Sequence, residues 1–268
     1  MIAIDYKKGI KILLDEYKEA LNEEIRNGLM WRHKIENRRL SYEDQQELLK
    51  DIIAQLLVQG RGAKGVGTQI NNIEEKIGGW SIENVEKNLD SLGMSDRKVE
   101  KLTKILQYLK DNSISDWIIK LHEDNDQMRD MELSMGLKSD DDFLKDHGFY
   151  EHVPVDRHTQ RFLFRTGIIQ WYLKRNDDVL TLFAGTYEEK YKLFQKIMVA
   201  FCKKFCDDIY VQTPSGELRL AENPGILDIV IWRHCGEDEE LGCRNICGNR
   251  PKCNECVFKE ACLWYKLG

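Results

Sequence analysis

Four cysteines near the C-terminus constrain this chain more than any other feature of its sequence. Cys247, Cys253, Cys256 and Cys262 form a C-x5-C-x2-C-x5-C array. Four free thiols at such short spacing would be a redox liability, whereas four sulfurs are typical ligands of an iron–sulfur cluster or of zinc. The alternative is a set of disulfide bonds in a secreted protein. The array therefore predicts a metal centre, provided that the chain works in a reducing compartment.

The N-terminal segment favours that compartment. Residues 1–21 (MIAIDYKKGIKILLDEYKEAL) mix charged and apolar positions as an amphipathic helix does, and they lack the apolar core of a signal peptide. The sequence also has no uninterrupted apolar stretch of about 20 residues, the length that a membrane span requires. We therefore expect a cytoplasmic protein without a membrane partner, in which clustered cysteines indicate metal more often than disulfides.

Charge bears on the choice of partner only locally. The chain has 40 basic and 46 acidic residues and a net charge of −6, which by itself gives no support for a nucleic-acid partner. Residues 244–266, which contain the cysteine array, reverse this balance with five basic residues against two acidic ones. A nucleic-acid interface is therefore expected only where positive charge is concentrated, as it is here.

Helical periodicity dominates the sequence. Apolar residues recur at helical spacing in 48–57, 99–109 and 191–201, and Ser95 is a suitable N-cap for the second of these helices. Residues 209–220 (IYVQTPSGELRL) favour one small β-hairpin. The sequence thus predicts an all-α protein in two lobes, with a small hairpin insertion near 209–220.

A glycine-rich segment offers a second candidate site. Gly60, Gly62 and Gly65 match the G-x-G-x-x-G spacing of dinucleotide-binding loops. That motif works between a strand and a helix of a parallel sheet, whereas the segment before it here is helical in pattern. We interpret the segment as a turn between helices that lets the backbone approach a phosphate.

Residues 153–167 (VPVDRHTQRFLFRTG) carry a resemblance to a known family. They resemble the V-D-x-H-x-x-R-x-x-x-R-x-G stretch of the helix-hairpin-helix DNA glycosylases, the endonuclease III superfamily. Asp156 corresponds to the aspartate of that motif, and Lys138, eighteen residues upstream, stands where endonuclease III-like members keep a lysine nucleophile. The resemblance extends in sequence order from about residue 40 to the cysteine array.

The resemblance implies that Lys138 and Asp156 are the catalytic pair and converge on one deoxyribose. An amine that attacks the anomeric carbon forms a Schiff base, which allows strand nicking as well as base loss. A carboxylate beneath the sugar stabilises the positive charge that develops as the base departs. The alternatives are that Lys138 is an ordinary surface lysine and that Asp156 is a helix N-cap, a role compatible with catalysis.

The resemblance also implies a DNA-binding surface. Gln59 or Arg61 would fill the space that a flipped base leaves in the duplex, or would otherwise be solvated turn residues. Gly136 is the glycine that remains in the hairpin, where the family usually has L-P-G-V-G-x-K and this chain has no proline. Arg250 and Lys252, between the first two cysteines of the array, would contact phosphates.

For the cysteine array, the resemblance implies a [4Fe-4S] cluster rather than zinc, held by the four cysteines named above. We expect the remaining cysteines to be buried in the core, with Cys243 as a rival ligand; they are Cys202, Cys206, Cys235 and Cys243. His158 and His234 have no metal-binding spacing, so structural hydrogen bonding is expected for both.

Together these features predict a DNA glycosylase with AP (β-elimination) lyase activity in base-excision repair. Its partner would be double-stranded DNA with a damaged or modified base, bound by a nucleoid-associated monomer. The predicted domains are 40–150, with the hairpin, and a discontinuous domain of 1–39 and 151–268, with the cluster loop. The alternatives are a monofunctional glycosylase and a non-catalytic, cluster-containing module that binds or senses damaged DNA. The sequence leaves the excised lesion open.

Overall fold

The structure is a computed structural model. It describes residues 4–59, 65–176, 178–214, 216–239 and 242–267. The chain divides into two compact units, one formed by 1–28 with 148–268 and the other by 29–147. We call the first the N/C unit and the second the middle unit. The domain division inferred from the sequence, with boundaries at 40 and 150, stays a prediction.

The elements follow in chain order. The chain begins with α1 (Tyr6–Glu16) and α2 (Lys18–Glu36), and the boundary between the units falls within α2. The rest of the middle unit contains α3 (Tyr42–Val58), α4 (Val66–Ile77), α5 (Ile82–Lys87), α6 (Asp96–Asp111), α7 (Ile114–Glu123), α8 (Asn125–Asp130) and α9 (Leu137–Asp146). The rest of the N/C unit contains α10 (Arg157–Thr166), α11 (Ile168–Leu173), α12 (Val179–Ala184), α13 (Tyr187–Phe205), β1 (Tyr210–Thr213), β2 (Gly216–Arg219), α14 (Gly225–Cys235) and α15 (Leu263–Leu267).

Local sequence signals explain where the long helices begin. Ser41 accepts a hydrogen bond from the Asp44 backbone N–H while the Asp44 carboxylate accepts one from the Ser41 N–H, so a capping box starts α3. Thr186 and Glu189 form the same reciprocal pair at the start of α13. Ser95 occupies the N-cap position of α6, as its sequence predicts, but its side chain makes no capping hydrogen bond. The three apolar stripes of the sequence lie in α3, α6 and α13, and most of their residues are buried.

The core of the middle unit lies between α3, α7 and α9. Trp117 of α7 and Phe143 of α9 are fully buried, and their rings meet edge to face with centroids 5.9 Å apart. The indole N–H of Trp117 donates to the backbone carbonyl of Leu133 at 3.1 Å. This hydrogen bond ties the segment between α8 and α9 to the core and so fixes the hairpin described below.

The core of the N/C unit is built around α14. This helix is apolar on almost every side, and its buried hydrophobic residues are Ile226, Leu227, Ile229, Val230 and Ile231. It packs against α10 and α1. A second group of contacts joins α1 to α13, where Tyr6 meets Phe201 and Phe205 with ring centroids 5.4 and 5.1 Å apart. Because α14 is enclosed, the residues at its two ends are held firmly.

The β-hairpin expected near 209–220 is confirmed: β1 and β2 pair in antiparallel register, with Tyr210 opposite Arg219. The predicted all-α class with one small β insertion is therefore confirmed as well. By contrast, α12 has no buried residue, and Leu180 and Phe183 are largely exposed. No helix in the described part of the chain is both long and apolar enough to cross a membrane.

Gly167 joins α10 to α11 with φ of +86°, a conformation that favours glycine. A Cβ there would approach the Leu263 Cβ to 2.9 Å and the Tyr6 hydroxyl to 3.2 Å. We therefore expect Gly167→Ala to lower the free energy of unfolding by about 1–3 kcal/mol, measured by urea denaturation of the full chain. Gly67→Ala is the control, because a Cβ at that position of α4 meets no described atom within 4 Å. A Gly167→Ala variant as stable as the control would contradict this account.

Candidate functional site

The middle unit contains a helix-hairpin-helix element formed by α8, a short loop and α9. The Leu133 N–H donates to the Met128 carbonyl at 2.9 Å, which closes the end of α8. Two residues of the loop have positive φ, Glu132 at +60° and Gly136 at +128°. Only Gly136 is a glycine, so the turn is made with less backbone freedom than in the glycine-rich hairpins of the family that this chain resembles.

The Asp140 side chain stabilises this loop, which lacks the proline and the second glycine of the family pattern. Its Oδ1 accepts the Met135 backbone N–H at 2.8 Å, and its Oδ2 accepts a short hydrogen bond from the Ser134 hydroxyl. The Ser134 Oγ in turn accepts the Gly136 N–H at 3.0 Å. Burial raises the pKa of the Asp140 carboxyl to about 7, against the lowering effect of its hydrogen bonds from Ser134 and Met135. Asp140 is thus an internal brace of the loop.

Two side chains from outside the hairpin, Gln59 after α3 and Lys101 of α6, also reach it, and Lys98 of α6 bonds to the Gln59 backbone. Gln59, at the end of α3, donates from Nε2 to the Met135 carbonyl and to the Ser139 Oγ, both at 2.8 Å. Lys101 Nζ donates to the same Met135 carbonyl at 3.0 Å, and Lys98 Nζ donates to the Gln59 carbonyl at 2.7 Å. The predicted role of Gln59 as a wedge stays a prediction, and the other candidate, Arg61, lies outside the described residues.

Lys98 and Lys101 are the residues of this site that sequence reasoning missed. Burial lowers the pKa of the Lys101 amine, with Asp140 opposing this effect and Arg97 adding to it. The two lysines are three residues apart in α6, on the same side of that helix. This spacing was visible in the sequence, but nothing there showed that α6 lies beside the hairpin.

Lys138 is the second residue of α9 and is half-exposed. Its Nζ lies 2.7 Å from Oδ2 of Asp142, one helical turn further on, and Lys145 Nζ lies 3.3 Å from the other oxygen of that carboxylate. Burial raises the pKa of Asp142, but attraction from Lys145 and Lys138 outweighs burial, so the pKa is lowered overall. Asp142 is therefore a carboxylate at neutral pH, and Lys138 is its ion-pair partner.

In the N/C unit, Asp156 is the N-cap of α10. Its Oδ1 accepts the backbone N–H groups of His158 at 2.7 Å and Thr159 at 2.9 Å, so the capping role read from Asp-x-x-Thr is confirmed. No described residue donates to its Oδ2. The carboxylate is therefore oriented through Oδ1 by the backbone of the first turn of α10.

The residues behind Asp156 fix its position. The Thr159 hydroxyl donates to Oδ1 of the buried Asp228 at 2.6 Å, which joins the first turn of α10 to α14. His158 is buried, and its Nδ1 has no hydrogen-bond partner among the described residues. Burial lowers the pKa of His158, with Asp156 opposing this effect. His158 is therefore a neutral imidazole at pH 7.

The four cysteines of the array line one cleft, together with Pro251 and Trp264. All eight cysteines of the chain are free thiols. Among the described residues, no three His, Cys, Asp or Glu side chains are drawn together as the ligands of one metal ion are. The four thiols of the array therefore share one cleft.

The chemistry of these thiols suits a multivalent cation. Burial, together with the neighbouring cysteines Cys247, Cys262 and Cys253, raises the pKa of Cys256 to about 12. A hydrogen bond with Cys235 lowers the pKa of Cys247 to about 6 against the effect of burial, and Arg165 adds to this lowering. Thiolates that repel one another in a shared cleft are stabilised when a metal centre neutralises them.

The loop of the cysteine array is also tied to α10. Arg165 Nη1 donates to the carbonyls of Cys247 at 3.1 Å and Gly248 at 2.7 Å, and Arg161 Nη2 donates to the Asn249 side chain at 2.7 Å. Arg250 and Lys252 are exposed on the same loop. Two arginines of the family-like motif thus support the loop, whereas the two cations predicted to bind phosphate remain accessible.

The other four cysteines are buried and His234 is hydrogen-bonded, as expected, while Cys243 as a rival ligand stays a prediction. Cys202, Cys206, Cys235 and Cys243 are all buried. His234 is buried at the end of α14, where its Nδ1 and Nε2 meet the Tyr17 hydroxyl and the Cys256 sulfur. Burial lowers the pKa of His234 to about 4.

Comparison with known proteins identifies the fold of this chain. No family model matches this chain, and no curated protein matches it. The crystal structure of the 8-oxoguanine DNA glycosylase of Thermotoga maritima is similar, with a TM-score of 0.55 and 15% sequence identity over 85% of this chain and 94% of that one. The glycosylase fold expected from the sequence is therefore confirmed, while the roles predicted for individual residues stay predictions.

The Asp140 brace makes stability depend on pH. Its pKa is raised from 3.8 to about 7, so its stabilising contribution is complete below pH 3.8 and is lost as the pH rises to about 7. We expect Asp140→Asn to flatten the fall in the free energy of unfolding between about pH 4 and 7, measured by urea denaturation at fixed ionic strength. Asp111→Asn, at the exposed end of α6, should leave that slope unchanged. Equal slopes in wild type and Asp140→Asn would contradict the assignment.

Proposed function

We propose that this protein is a DNA glycosylase with AP lyase activity that excises a damaged or modified base from double-stranded DNA. The observation that carries the proposal is the geometry of Asp156, whose carboxylate is oriented through Oδ1 by the backbone of the first turn of α10. The fold that this chain shares with a DNA glycosylase supports the same conclusion. A fold by itself does not fix an activity, so the argument rests on the residues.

Asp156 has the properties that base excision requires. Departure of the base builds positive charge on the sugar, and a fixed carboxylate stabilises that charge without having to reorganise. Backbone N–H groups orient Asp156, and the Thr159–Asp228 hydrogen bond holds the first turn of α10 in place behind it. A carboxylate on a flexible loop would lack this preorganisation.

Lys138 supplies the amine for the lyase step. In the ground state it is paired with Asp142, and an ammonium ion cannot attack a sugar. Asp142 is also paired with Lys145, so the carboxylate would keep a cationic partner when Lys138 turns to the substrate. After giving its proton to solvent, the amine would attack the anomeric carbon as the glycosidic bond breaks and the base departs. Opening of the sugar ring would then give the Schiff base, from which β-elimination expels the 3′ phosphate.

The ion pair of Lys138 also favours a second candidate function, a monofunctional glycosylase. If the pair with Asp142 persists when DNA binds, Lys138 remains charged and Asp156 activates a water molecule instead. Base release would then occur without a covalent intermediate. The third candidate, a non-catalytic module that binds damaged DNA, predicts binding without base release.

Several groups suit contact with DNA. Gly136 opens the N-terminus of α9, and Lys98 and Lys101 bring two cations beside the hairpin loop. Arg250 and Lys252 are exposed cations on the loop of the cysteine array. Such groups bind phosphates without reading sequence, which suits an enzyme that must search duplex DNA. We propose Gln59 as the side chain that enters the vacated base position, after release of its hydrogen bonds to the hairpin.

The cysteine array is proposed to hold a [4Fe-4S] cluster. Zinc would need four sulfurs at about 2.3 Å from one ion, whereas each cysteine of a four-iron cluster binds a different iron and the sulfurs stand further apart. Four cysteines that share one cleft provide the usual ligand set of such a cluster. When bound, the cluster would fix the loop that presents Arg250 and Lys252, and it would supply no base chemistry.

The setting of the proposed enzyme follows from these parts. We infer that it acts as a monomer in the cytoplasm, associated with the nucleoid, because its substrate is chromosomal DNA and its cluster requires a reducing compartment. The lesion is open. 8-Oxoguanine is the first to test, since the similar solved structure is an 8-oxoguanine DNA glycosylase.

The catalytic assignment is tested with duplexes that each contain one defined lesion, scored for base release, nicking and borohydride trapping. We expect Asp156→Asn to reduce the rate of base release by about 100-fold or more, because the charge that stabilises the transition state is lost. We expect Lys138→Gln to abolish nicking and the trapped protein–DNA adduct, because no amine is left to form the Schiff base.

Lys110→Gln is the matched control for Lys138→Gln, since Lys110 is also a lysine of the middle unit that is ion-paired on a helix, with Glu86 at 2.5 Å. This variant should retain full activity. Base release by wild type without any trapped adduct would favour the monofunctional enzyme. Tight binding of lesion-containing duplexes without base release from any of them would favour the non-catalytic module.

The cluster is tested on protein purified without air. We expect about four iron atoms and four sulfides per chain, a broad absorbance in the visible range, and loss of both in Cys253→Ala. Cys202→Ala, which removes a buried thiol of α13, should keep a full complement of iron. Stoichiometric zinc without sulfide would contradict the cluster and favour a zinc site.

A further inference from the structure

The C-terminus of α14 directs two consecutive side chains at two different cysteines of the array. His234 Nε2 lies 3.2 Å from the Cys256 sulfur. Cys235 is fully buried, and its thiol is hydrogen-bonded to Cys247. Neither contact takes part in the proposed chemistry on DNA. Both therefore call for another explanation.

The direction of the His234–Cys256 hydrogen bond follows from which of the two atoms can donate. A cysteine that is bound to metal is a thiolate and offers only lone pairs, so Nε2 must donate to Cys256 whatever the charge of the ring. The other ring nitrogen, Nδ1, lies 3.0 Å from the Tyr17 hydroxyl. Tyr17 is buried, and its ring meets the imidazole edge to face. Tyr17 therefore fixes the orientation of the imidazole, as outer partners of metal-binding histidines do.

The direction of the Cys247 hydrogen bond follows in the same way. A thiol at Cys235 has one S–H to donate, and a metal-bound thiolate at Cys247 can only accept it. Arg165 Nη1, at 3.5 Å from the Cys247 sulfur, is a second donor. Two of the four sulfurs in the array thus receive hydrogen bonds from side chains.

The backbone holds these donors at a fixed distance from the array. The carbonyl of His234 accepts the N–H groups of Ile246 at 2.8 Å and Cys247 at 3.3 Å, and the Arg233 carbonyl accepts the Arg244 N–H at 2.8 Å. The end of α14 and the start of the cysteine loop therefore form one hydrogen-bonded unit. Motion of the loop away from His234 would break these bonds.

We propose that His234, oriented by Tyr17, and Cys235 are positioning residues that donate hydrogen bonds to Cys256 and Cys247 and thereby raise the reduction potential of the cluster. The inference rests on the proposed cluster and deepens it. Reduction adds one electron, and part of its charge resides on the sulfurs. Hydrogen bonds to those sulfurs stabilise the reduced form more than the oxidised form.

The experiment is voltammetry on the full-length, cluster-loaded protein, in which an electrode supplies the electron, after iron and sulfide have been measured for each variant. We expect His234→Leu to shift the equilibrium toward the oxidised form by about tenfold, a fall in potential of about 59 mV for a one-electron couple. His234→Gln keeps an N–H donor and should recover part of the loss. Tyr17→Phe, which removes only a hydroxyl, should shift the potential in the same direction by less.

Cys235 offers a matched pair of variants. Cys235→Ala removes the donor and should lower the potential, whereas Cys235→Ser keeps an O–H donor and should restore it. Cys202→Ala, at a buried thiol of α13, is the control for loss of a thiol and should leave the potential unchanged.

The possible outcomes distinguish a failure of this inference from a failure of the proposed cluster. Wild-type protein without iron and sulfide would overturn the cluster itself. Full cluster content in every variant, with potentials equal to that of wild type, would overturn the inference and leave the cluster standing. If His234→Leu does not fold, Tyr17→Phe and the Cys235 pair decide the result, because they change the donors with little change in volume.

Discussion

The burial of α14 is the constraint on which the N/C unit depends. This helix is enclosed by apolar contacts, so its polar side chains at either end are placed with little freedom. Asp228, near its start, accepts the hydroxyl of Thr159 and so fixes the first turn of α10, which Asp156 caps. His234 and Cys235, at its end, meet two sulfurs of the cysteine array. The carboxylate and the proposed cluster thus share one support.

The middle unit solves a different problem, that of a tight hairpin with few glycines. Buried Asp140 accepts hydrogen bonds from the loop and replaces backbone freedom with a side-chain brace. Lys101 and Gln59 meet at the Met135 carbonyl on the other side of the same loop. The Asp140 carboxylate thus lies inside the loop, with the Lys101 amine beside it. The sequence alone, with its three consecutive aspartates, does not suggest that a cation lies there.

Much of the fold was predictable because its signals are local. Apolar spacing identified α3, α6 and α13, and Asp-x-x-Thr identified the cap of α10, since these patterns operate within one or two helical turns. Lys101 was missed because it reaches a carbonyl 34 residues away, and the Tyr17–His234 contact spans 217 residues. The spacing of apolar residues gives no information about contacts between residues so far apart in the chain. The hydrogen bonds of Asp140 are local, but the sequence does not reveal them. Acidic residues at this place are equally typical of a helix N-terminus.

The capping of α10 by Asp156 couples the start of that helix to the proposed chemistry. The bond that orients the carboxylate is also a bond that starts the helix, so replacing Asp156 by a residue that cannot cap would weaken folding and chemistry together. Asparagine, which still caps, separates the two. If the proposed base excision is correct, a single substitution of the acid by its amide would remove it and leave the protein folded.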